Sequence, residues 1–290
     1  MLCGPCVSHV IDQINLRTMR SKAATAIYGV GEHLQTREQA ALDSVVKEVR
    51  GQPILDLGVG AGRTVKPLLR VSRDYLGIDY SPEMIARCRD RYPQERFEYA
   101  DARQLASISD ESMGLIVFSC NGICMVGHDD RLRILREAHR ALKPGGILII
   151  TTYNQDCSDE LGYFKFPPLE FSANPLRFGV RVLRFLRATA LRLYNWNRYR
   201  RHNVRTAEYS IINDVCHDYG TMLYYISLPN QRRQLEACGF LPQAVAYDQA
   251  GRRMWSANTE NDYAIVARKS GLLTAGRSEV ADGREFARRA

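Results

Sequence analysis

Three glycines at alternate positions, Gly58, Gly60 and Gly62, stand between an apolar run at 53–57 and a helix-spaced segment at 64–71. Glycine at such a turn lets the backbone pass close to a ligand and enter the φ > 0 region without a Cβ collision. Strand, glycine turn and helix in that order place a nucleotide-like ligand at the carboxyl end of a parallel sheet. Asp56 precedes the turn, and no Lys-Ser/Thr pair completes a phosphate cradle. A carboxylate there suits a cationic ligand better than a pyrophosphate. Acids end the next two runs of strand character, Asp79 and Asp101. Farther on, Asn121, His128, Tyr153 and Asn154 follow apolar runs and could meet a second ligand at the same sheet edge.

Those groups need a scaffold, and the pattern of apolar runs supplies one. Residues 8–50 read as helical, broken by Gly29 and Gly31, with an amphipathic stretch from Thr36 that ends near Gly51. Strand character follows at 53–57, 74–79, 97–100, 114–119 and 147–152. Between them, Ser81-Pro82-Glu83 has the N-cap and first-turn residues of a helix start. Leu132, Leu135, Ala138 and Leu142 carry a helical period that Lys143-Pro-Gly-Gly stops. Strands alternating with helices imply βαβ units and a mostly parallel sheet. A helix near 231–238 and strands at 243–247 and 263–267 close the pattern, and the chain from Ser270 is polar and expected to be mobile.

The stretch 153–228 is far longer than an ordinary connection between such elements. Its second half reads as two strands, 206–213 and 221–227, around Asp218-Tyr-Gly. The expected division is an N-terminal helical segment (1–35), a ligand-binding core (36–152), an insert over the site (153–228), the end of the core fold (229–269) and a tail (270–290).

Charge is concentrated in that insert. The chain of 290 residues carries a formal charge of +8, yet the segment 171–207 holds nine arginines and no acid. The rest of the chain is therefore close to neutral, and the basic character belongs to one surface. Arg177, Arg181, Arg184, Arg187 and Arg192 fall on one side of a helix, within about 140° at 100° per residue. Val182, Leu183, Leu186, Ala190 and Leu193 take the opposite side. Three readings follow for the arginine-rich segment 177–205: a cap helix whose apolar face covers the site while its arginines meet solvent or an anionic substrate, a helix on an anionic membrane surface, or, less favoured for want of an appended RNA-binding module, an RNA contact aided by Tyr194, Trp196 and Tyr199.

No apolar run approaches the roughly 20 residues that cross a bilayer, and the first residues lack the basic leader and apolar core of a secretory signal. The eight cysteines have no framework spacing, so a reduced, cytoplasmic chain is expected, peripheral to a membrane at most. Cys3 and Cys6 form a CxxC with no second pair to complete a zinc set, and no metal is expected.

The segments ILDLGVGAGRT (54–64), GIDYSPEMI (77–85), YADARQL (99–105), LIVFSCNGI (115–123) and LKPGGILIITT (142–152) resemble, in order and spacing, the motifs of class I S-adenosylmethionine-dependent methyltransferases. The resemblance spans roughly 36–268 apart from the insert. It implies an α/β, Rossmann-like sheet of seven mostly parallel strands with an antiparallel last strand, and S-adenosylmethionine as cofactor, leaving as S-adenosylhomocysteine.

The same resemblance assigns Asp79 to the ribose hydroxyls, Asp101 to the adenine amino group and the Ala102 backbone to the adenine beside it. Met84 would pack on the adenine face, and Asp56 with the Gly58, Gly60 and Gly62 turn would surround the methionine moiety. Tyr80, Ser119 and Asn121 complete the expected cofactor set. Arg63 stands where a small or polar residue is common and is expected in solvent.

Methyl transfer to a heteroatom is an in-line displacement in which alignment supplies most of the acceleration, and a base is needed only for a protonated acceptor. His128, Tyr153 and Asn121 are the candidate catalytic groups. Tyr28, Asn154, Tyr224 and Tyr225 are candidates for the acceptor site. The residues after the fourth strand do not form the Asn/Asp-Pro-Pro-Tyr/Phe motif of many amino-group methyltransferases of nucleic acids and proteins. Cys120, Cys124, Cys157 and Cys216 do not reproduce the adjacent-cysteine pattern of arsenite methylation. The expected acceptor is a small metabolite or natural-product intermediate. A lipid-linked or RNA acceptor drawn in by the basic insert is the alternative. A non-catalytic S-adenosylmethionine-binding scaffold is the reading from another class, against which the intact glycines and acids count. Oligomeric state is left open.

Overall fold

The computed structural model describes residues 4–21, 31–157, 161–256 and 258–271. The chain opens with helix α1 (Gly4–Met19), then α2 (Thr36–Asp43) and the single turn α3 (Val46–Val49). At the start of α2, Glu38 reaches back and accepts from the Gln35 N–H at 2.8 Å, one half of a capping box. The first half of the sheet then alternates with helices as β1 (Ile54–Leu57), α4 (Val65–Leu69), β2 (Tyr75–Asp79), α5 (Pro82–Arg91), β3 (Arg96–Tyr99), β4 (Met113–Phe118), α6 (His128–Ala141) and β5 (Leu142–Tyr153). Ser81 caps α5 by accepting from the Met84 N–H, with Pro82 in the first turn. The insert supplies α7 (Pro175–Tyr199), β6 (Val204–Arg205), β7 (Ser210–Asp214) and β8 (Thr221–Tyr225). Helix α8 (Leu228–Ala237) and strands β9 (Val245–Tyr247), β10 (Arg253–Met254) and β11 (Asp262–Arg268) complete the fold.

The seven expected strands are all present, in the order β9-β11-β5-β4-β1-β2-β3. Those from β5 to β3 run parallel to one another, while β11 pairs antiparallel with both β5 and β9. Strand β10 extends the β9 edge. The insert adds to this sheet. Its hairpin β7–β8 joins the sheet where Tyr225 bridges to Tyr153 at the carboxyl end of β5, bringing the sheet to 11 strands.

Alternation along the central strands divides the core into two layers. Leu55, Leu57, Leu76, Ile78, Ile116 and Phe118 pack on the side of α1, α6 and α8. Ile54, Tyr75, Leu115, Val117 and Ile149 pack on the side of α2, α4 and α5. This parity decides the fate of several acids below.

Helix α7 overturns the cap reading of the basic segment. It is helical as the spacing requires, but none of its residues lines the cleft described next, and only Tyr199 along its length is buried.

Candidate active site

One cleft gathers the carboxyl ends of β1, β2, β3 and β4, and encloses about 1010 Å³ of empty space, part of it open to solvent. One wall comprises Gly58, Gly60, Asp79, Tyr80, Met84, Ala102 and Ser119. The other comprises Leu16, Met19 and Arg20 at the end of α1, Met125, Tyr153 from β5, and Cys216, His217 and Leu223 from the β7–β8 hairpin. Cys120 and Asn121 also line it.

The glycine turn is built for close approach. Gly58 (φ +63°) faces inward, where a Cβ would come within 2.6 Å of the Phe118 ring, and Gly62 (φ +88°) would meet Tyr92 at 2.7 Å. Gly60 (φ +56°) has nothing within 4 Å of a built Cβ, so its missing side chain leaves room in the cleft itself. These positions should separate in experiment. Gly58→Ala should lose about 2 kcal/mol of stability in urea denaturation, from backbone strain and the Phe118 clash. Gly60→Ala should fold with a smaller loss yet bind S-adenosylhomocysteine more weakly; a Gly60→Ala chain that binds as the parent does would remove the turn from the ligand site.

Asp79 ends β2 with its carboxylate buried in the cleft wall. Oδ2 accepts from the Gly60 N–H at 2.9 Å and Oδ1 from the Ser81 N–H at 2.8 Å. Burial raises its pKa against these donors. Each oxygen keeps a lone pair for a ligand hydroxyl.

Other expected residues stand elsewhere. Asp56 does not line the cleft. Strand parity turns it into the layer beneath α4, where Oδ2 accepts from Thr64 Oγ1 at 2.5 Å and Tyr75 Oη at 2.8 Å, and burial pushes its carboxyl up to about 6. Gly62 lies behind the turn. Asp101 is held by Arg103 at 2.6–3.0 Å. Burial would raise its carboxyl, but Arg103 outweighs this and holds it below the ordinary value. Arg103 also reaches Asp12 and Asp130, and the cleft wall here is Ala100 and Ala102 instead. Arg63 is not solvated. It pairs with Glu38 at 2.8 and 3.0 Å and donates to the His33 carbonyl. Glu38 in turn accepts from the Cys120 N–H at 2.8 Å, so this pair braces the β4 exit.

That exit is strained. Cys120 (φ 52°) and Asn121 (φ 56°) are consecutive left-handed residues, an arrangement that costs energy for a side chain with a Cβ and clusters at functional sites. Asn121 is pinned by its N–H to Thr151 Oγ1 at 2.6 Å and by Nδ2 to Asp262 Oδ2 at 2.9 Å. Its Oδ1 is buried without a partner among the described residues. An orphaned acceptor in a cleft wall fits a ligand that brings an N–H or O–H.

His128 is corrected. The turn 122–125 carries it away from the cleft, where its ring stacks on Tyr209 at 4.1 Å and Nδ1 lies 2.8 Å from Tyr224 Oη. Tyr224 is consumed in the same stack, beneath Arg131 and bonded to Gln234. Tyr225 faces a neighbouring cavity, and Asn154 is buried, donating to the carbonyls of Asn258 and Glu260. Neither lines the cleft. Tyr28 lies outside the described residues. Tyr153 does line the cleft, with its ring 5.2 Å from that of Tyr225.

No motif or spacing marks His217 in the sequence, yet it lines the cleft. It opens a run of three left-handed residues, His217, Asp218 and Tyr219, at the hairpin tip, and Asp218 is held by Arg192 at 2.7 Å and Asn195 at 2.9 Å. Burial lowers the His217 pKa while Asp218 raises it, and burial prevails. Cys120 and Cys216, also lining the cleft, are pushed up by burial, Cys216 to about 11. Both thiols are therefore protonated near neutral pH, which weighs against thiolate chemistry. Among the described residues no cluster of three or more metal-ligating side chains exists.

A glycine turn open at Gly60, a buried strand-end acid and an alanine-lined pocket after β3 fit S-adenosylmethionine. The methyltransferase-domain family model matches residues 55–150. Over these residues the chain carries the domain of the class I S-adenosylmethionine-dependent methyltransferases. A probable S-adenosylmethionine-dependent methyltransferase of Mycolicibacterium smegmatis is 25% identical over 120 residues, 41% of this chain and 45% of that one. An arsenite methyltransferase of Aquipseudomonas alcaligenes is 35% identical over 127 residues, 38% of this chain and 36% of that one. The chain thus spans less than half the length of these curated relatives. The crystal structure of the Burkholderia thailandensis 1,6-didemethyltoxoflavin-N1-methyltransferase, with its substrate and S-adenosylhomocysteine bound, shares the fold at TM-score 0.55 and 12% identity, covering 93% of this chain and 92% of that one.

Proposed function

We propose that this methyltransferase moves a methyl group from S-adenosylmethionine to a nitrogen or oxygen of a small, largely apolar molecule. The reading is carried by the continuity of the cleft, which joins the Gly60 and Asp79 wall to a second wall of Met19, Met125, Tyr153 and Leu223. Asp79 would hold the ribose, Met84 and Ala102 the adenine, and Gly58 and Gly60 the methionine end. When bound, the cofactor supplies an electrophilic methyl carbon on a sulfonium. The chain's own part is to orient the acceptor, exclude water and take a proton where the acceptor carries one. Asn121 Oδ1 would accept from the acceptor's N–H or O–H, and the apolar side chains would fix its plane and keep it dry.

His217, rather than His128, is the proposed base. A histidine with a lowered pKa stays neutral, and so able to accept a proton, down to a pH below its ordinary value near 6.5. The rate should therefore rise with pH through a limb whose midpoint lies below about 6.5, and be flat above it. His217→Gln should lower kcat by about a hundredfold and abolish that limb, whereas His128→Gln should leave both in place. Transfer of label from S-adenosylmethionine to a panel of small aromatic amines and phenols would measure this. A His217→Gln chain that keeps the parent's limb would end the base assignment without touching the cofactor site.

A further inference from the structure

The helix α7 leaves its apolar stripe uncovered. At 100° per residue, Leu193, Leu186, Leu183, Leu176, Tyr194 and Val180 occupy a sector of about 140°. All are exposed, with Leu176 at 83%, Leu183 at 68% and Leu186 at 55%. The helix is not loose. Its other side is fastened to the fold by Trp196 Nε1 donating to the Gly162 carbonyl at 3.2 Å, by Arg192 on Asp218, and by the buried Tyr199. The stripe thus points outward because the opposite face is already used.

Charge identifies what fits there. Arg187 lies just inside one edge of the stripe, Arg184 and Arg177 follow beyond that edge, and none of the three has an acidic partner among the described residues. The helix holds no acid from Pro175 to Tyr199. A second copy laid on this stripe would bring arginines against arginines. An RNA strand would engage the arginines but leave the leucines in water. An anionic bilayer surface satisfies both, with leucines entering the acyl boundary and guanidinium groups meeting lipid phosphates. No helix among the described residues is long and apolar enough to cross a membrane, so the contact lies in the interface plane.

We propose that α7 is a docking surface for anionic lipid bilayers. The site is mechanically joined to the cleft, because Arg192 and Asn195 of α7 hold Asp218, the neighbour of His217. The proposal does not depend on methyl transfer.

Flotation of the full chain with vesicles tests it. Binding is expected to vesicles of equimolar phosphatidylcholine and phosphatidylglycerol and not to phosphatidylcholine alone, and should weaken with salt. Leu176→Glu/Leu183→Glu/Leu186→Glu should abolish it. Arg177→Gln/Arg184→Gln/Arg187→Gln should lower partitioning by about a hundredfold. Both variants should bind S-adenosylhomocysteine as the parent does, which reports their folding. No flotation at low salt, or equal flotation of both variants, overturns the proposal. So does retention on RNA without vesicle binding, or a dimer that the leucine variant dissociates while the parent ignores vesicles.

Discussion

A chain carrying Asp79→Ala should bind S-adenosylhomocysteine about a thousandfold more weakly than the parent in calorimetry, from two charge-assisted hydrogen bonds of about 2 kcal/mol each. The loss follows from the geometry at the end of β2. Both carboxylate oxygens are already oriented by backbone donors, Gly60 N–H and Ser81 N–H, so the acceptor is preorganised and loses little entropy when a ribose arrives. The same bonds tie Asp79 to the glycine turn, and its removal loosens Gly60 as well. Asp79→Asn distinguishes the two effects: the amide keeps one acceptor oxygen and the side-chain volume, and should fall between parent and alanine. An unchanged affinity in Asp79→Ala would remove the ribose assignment, while absence of binding by the parent would remove the cofactor reading altogether. Circular dichroism of the variant separates lost binding from lost fold.

Asp79 was legible because it depends on order alone: an apolar run, an acid at its end, and a helix start at Ser81. The central strands were legible for the same reason, since residues buried on both faces read as unbroken apolar runs. What order does not give is the side of the sheet an end residue faces. Asp56 and Asp79 both sit near strand ends, but Asp56 is one residue inside β1, and parity delivers it to Thr64 and Tyr75. Asp101 fails for a different reason: Arg103, two residues on, folds back and takes the carboxylate.

The histidines show the limit most clearly. His128 had the expected position, after β4 and before a helix, but a 3-10 turn at Gly122–Met125 and the Tyr209–Tyr224 stack carry it out of reach. His217 reaches the cleft only because three residues at a hairpin tip adopt left-handed geometry and the hairpin pairs beside β5. Neither condition has a signature at the level of residue type, since Asp-Tyr-Gly marks a turn and nothing more. The amphipathic period of α7 was equally plain, yet periodicity says that one face differs from the other without saying which meets the protein.

Arg131→Ala should destabilise the fold by about 3–5 kcal/mol, more than any single aliphatic truncation nearby, because it strips donors from several buried acceptors at once. Arg131 is completely buried on α6, yet all its hydrogen-bond partners are uncharged. Nε donates to Gln234 Oε1 at 2.9 Å, Nη1 to the Ile123 carbonyl at 3.1 Å, and Nη2 to Thr152 Oγ1 at 3.1 Å and Gln231 Oε1 at 2.5 Å. The guanidinium also lies 4.6 Å from the Tyr224 ring centre, where the π face offsets part of the cost of burying the charge. Through these contacts one side chain joins α6 and α8 to β5, β8 and the turn Gly122–Met125, which carry Tyr153, Leu223 and Met125 of the cleft. Arg131→Met should lose less, because it fills the volume and leaves Gln231 and Gln234 free to pair with each other. Urea denaturation of both variants measures the order, and S-adenosylhomocysteine affinity should change little in either, since Asp79 and the glycine turn lie on the far side of the cleft. If Arg131→Ala unfolds at the parent's urea midpoint, the buried guanidinium is not what holds these elements together, and packing among the apolar residues of this layer must do so instead.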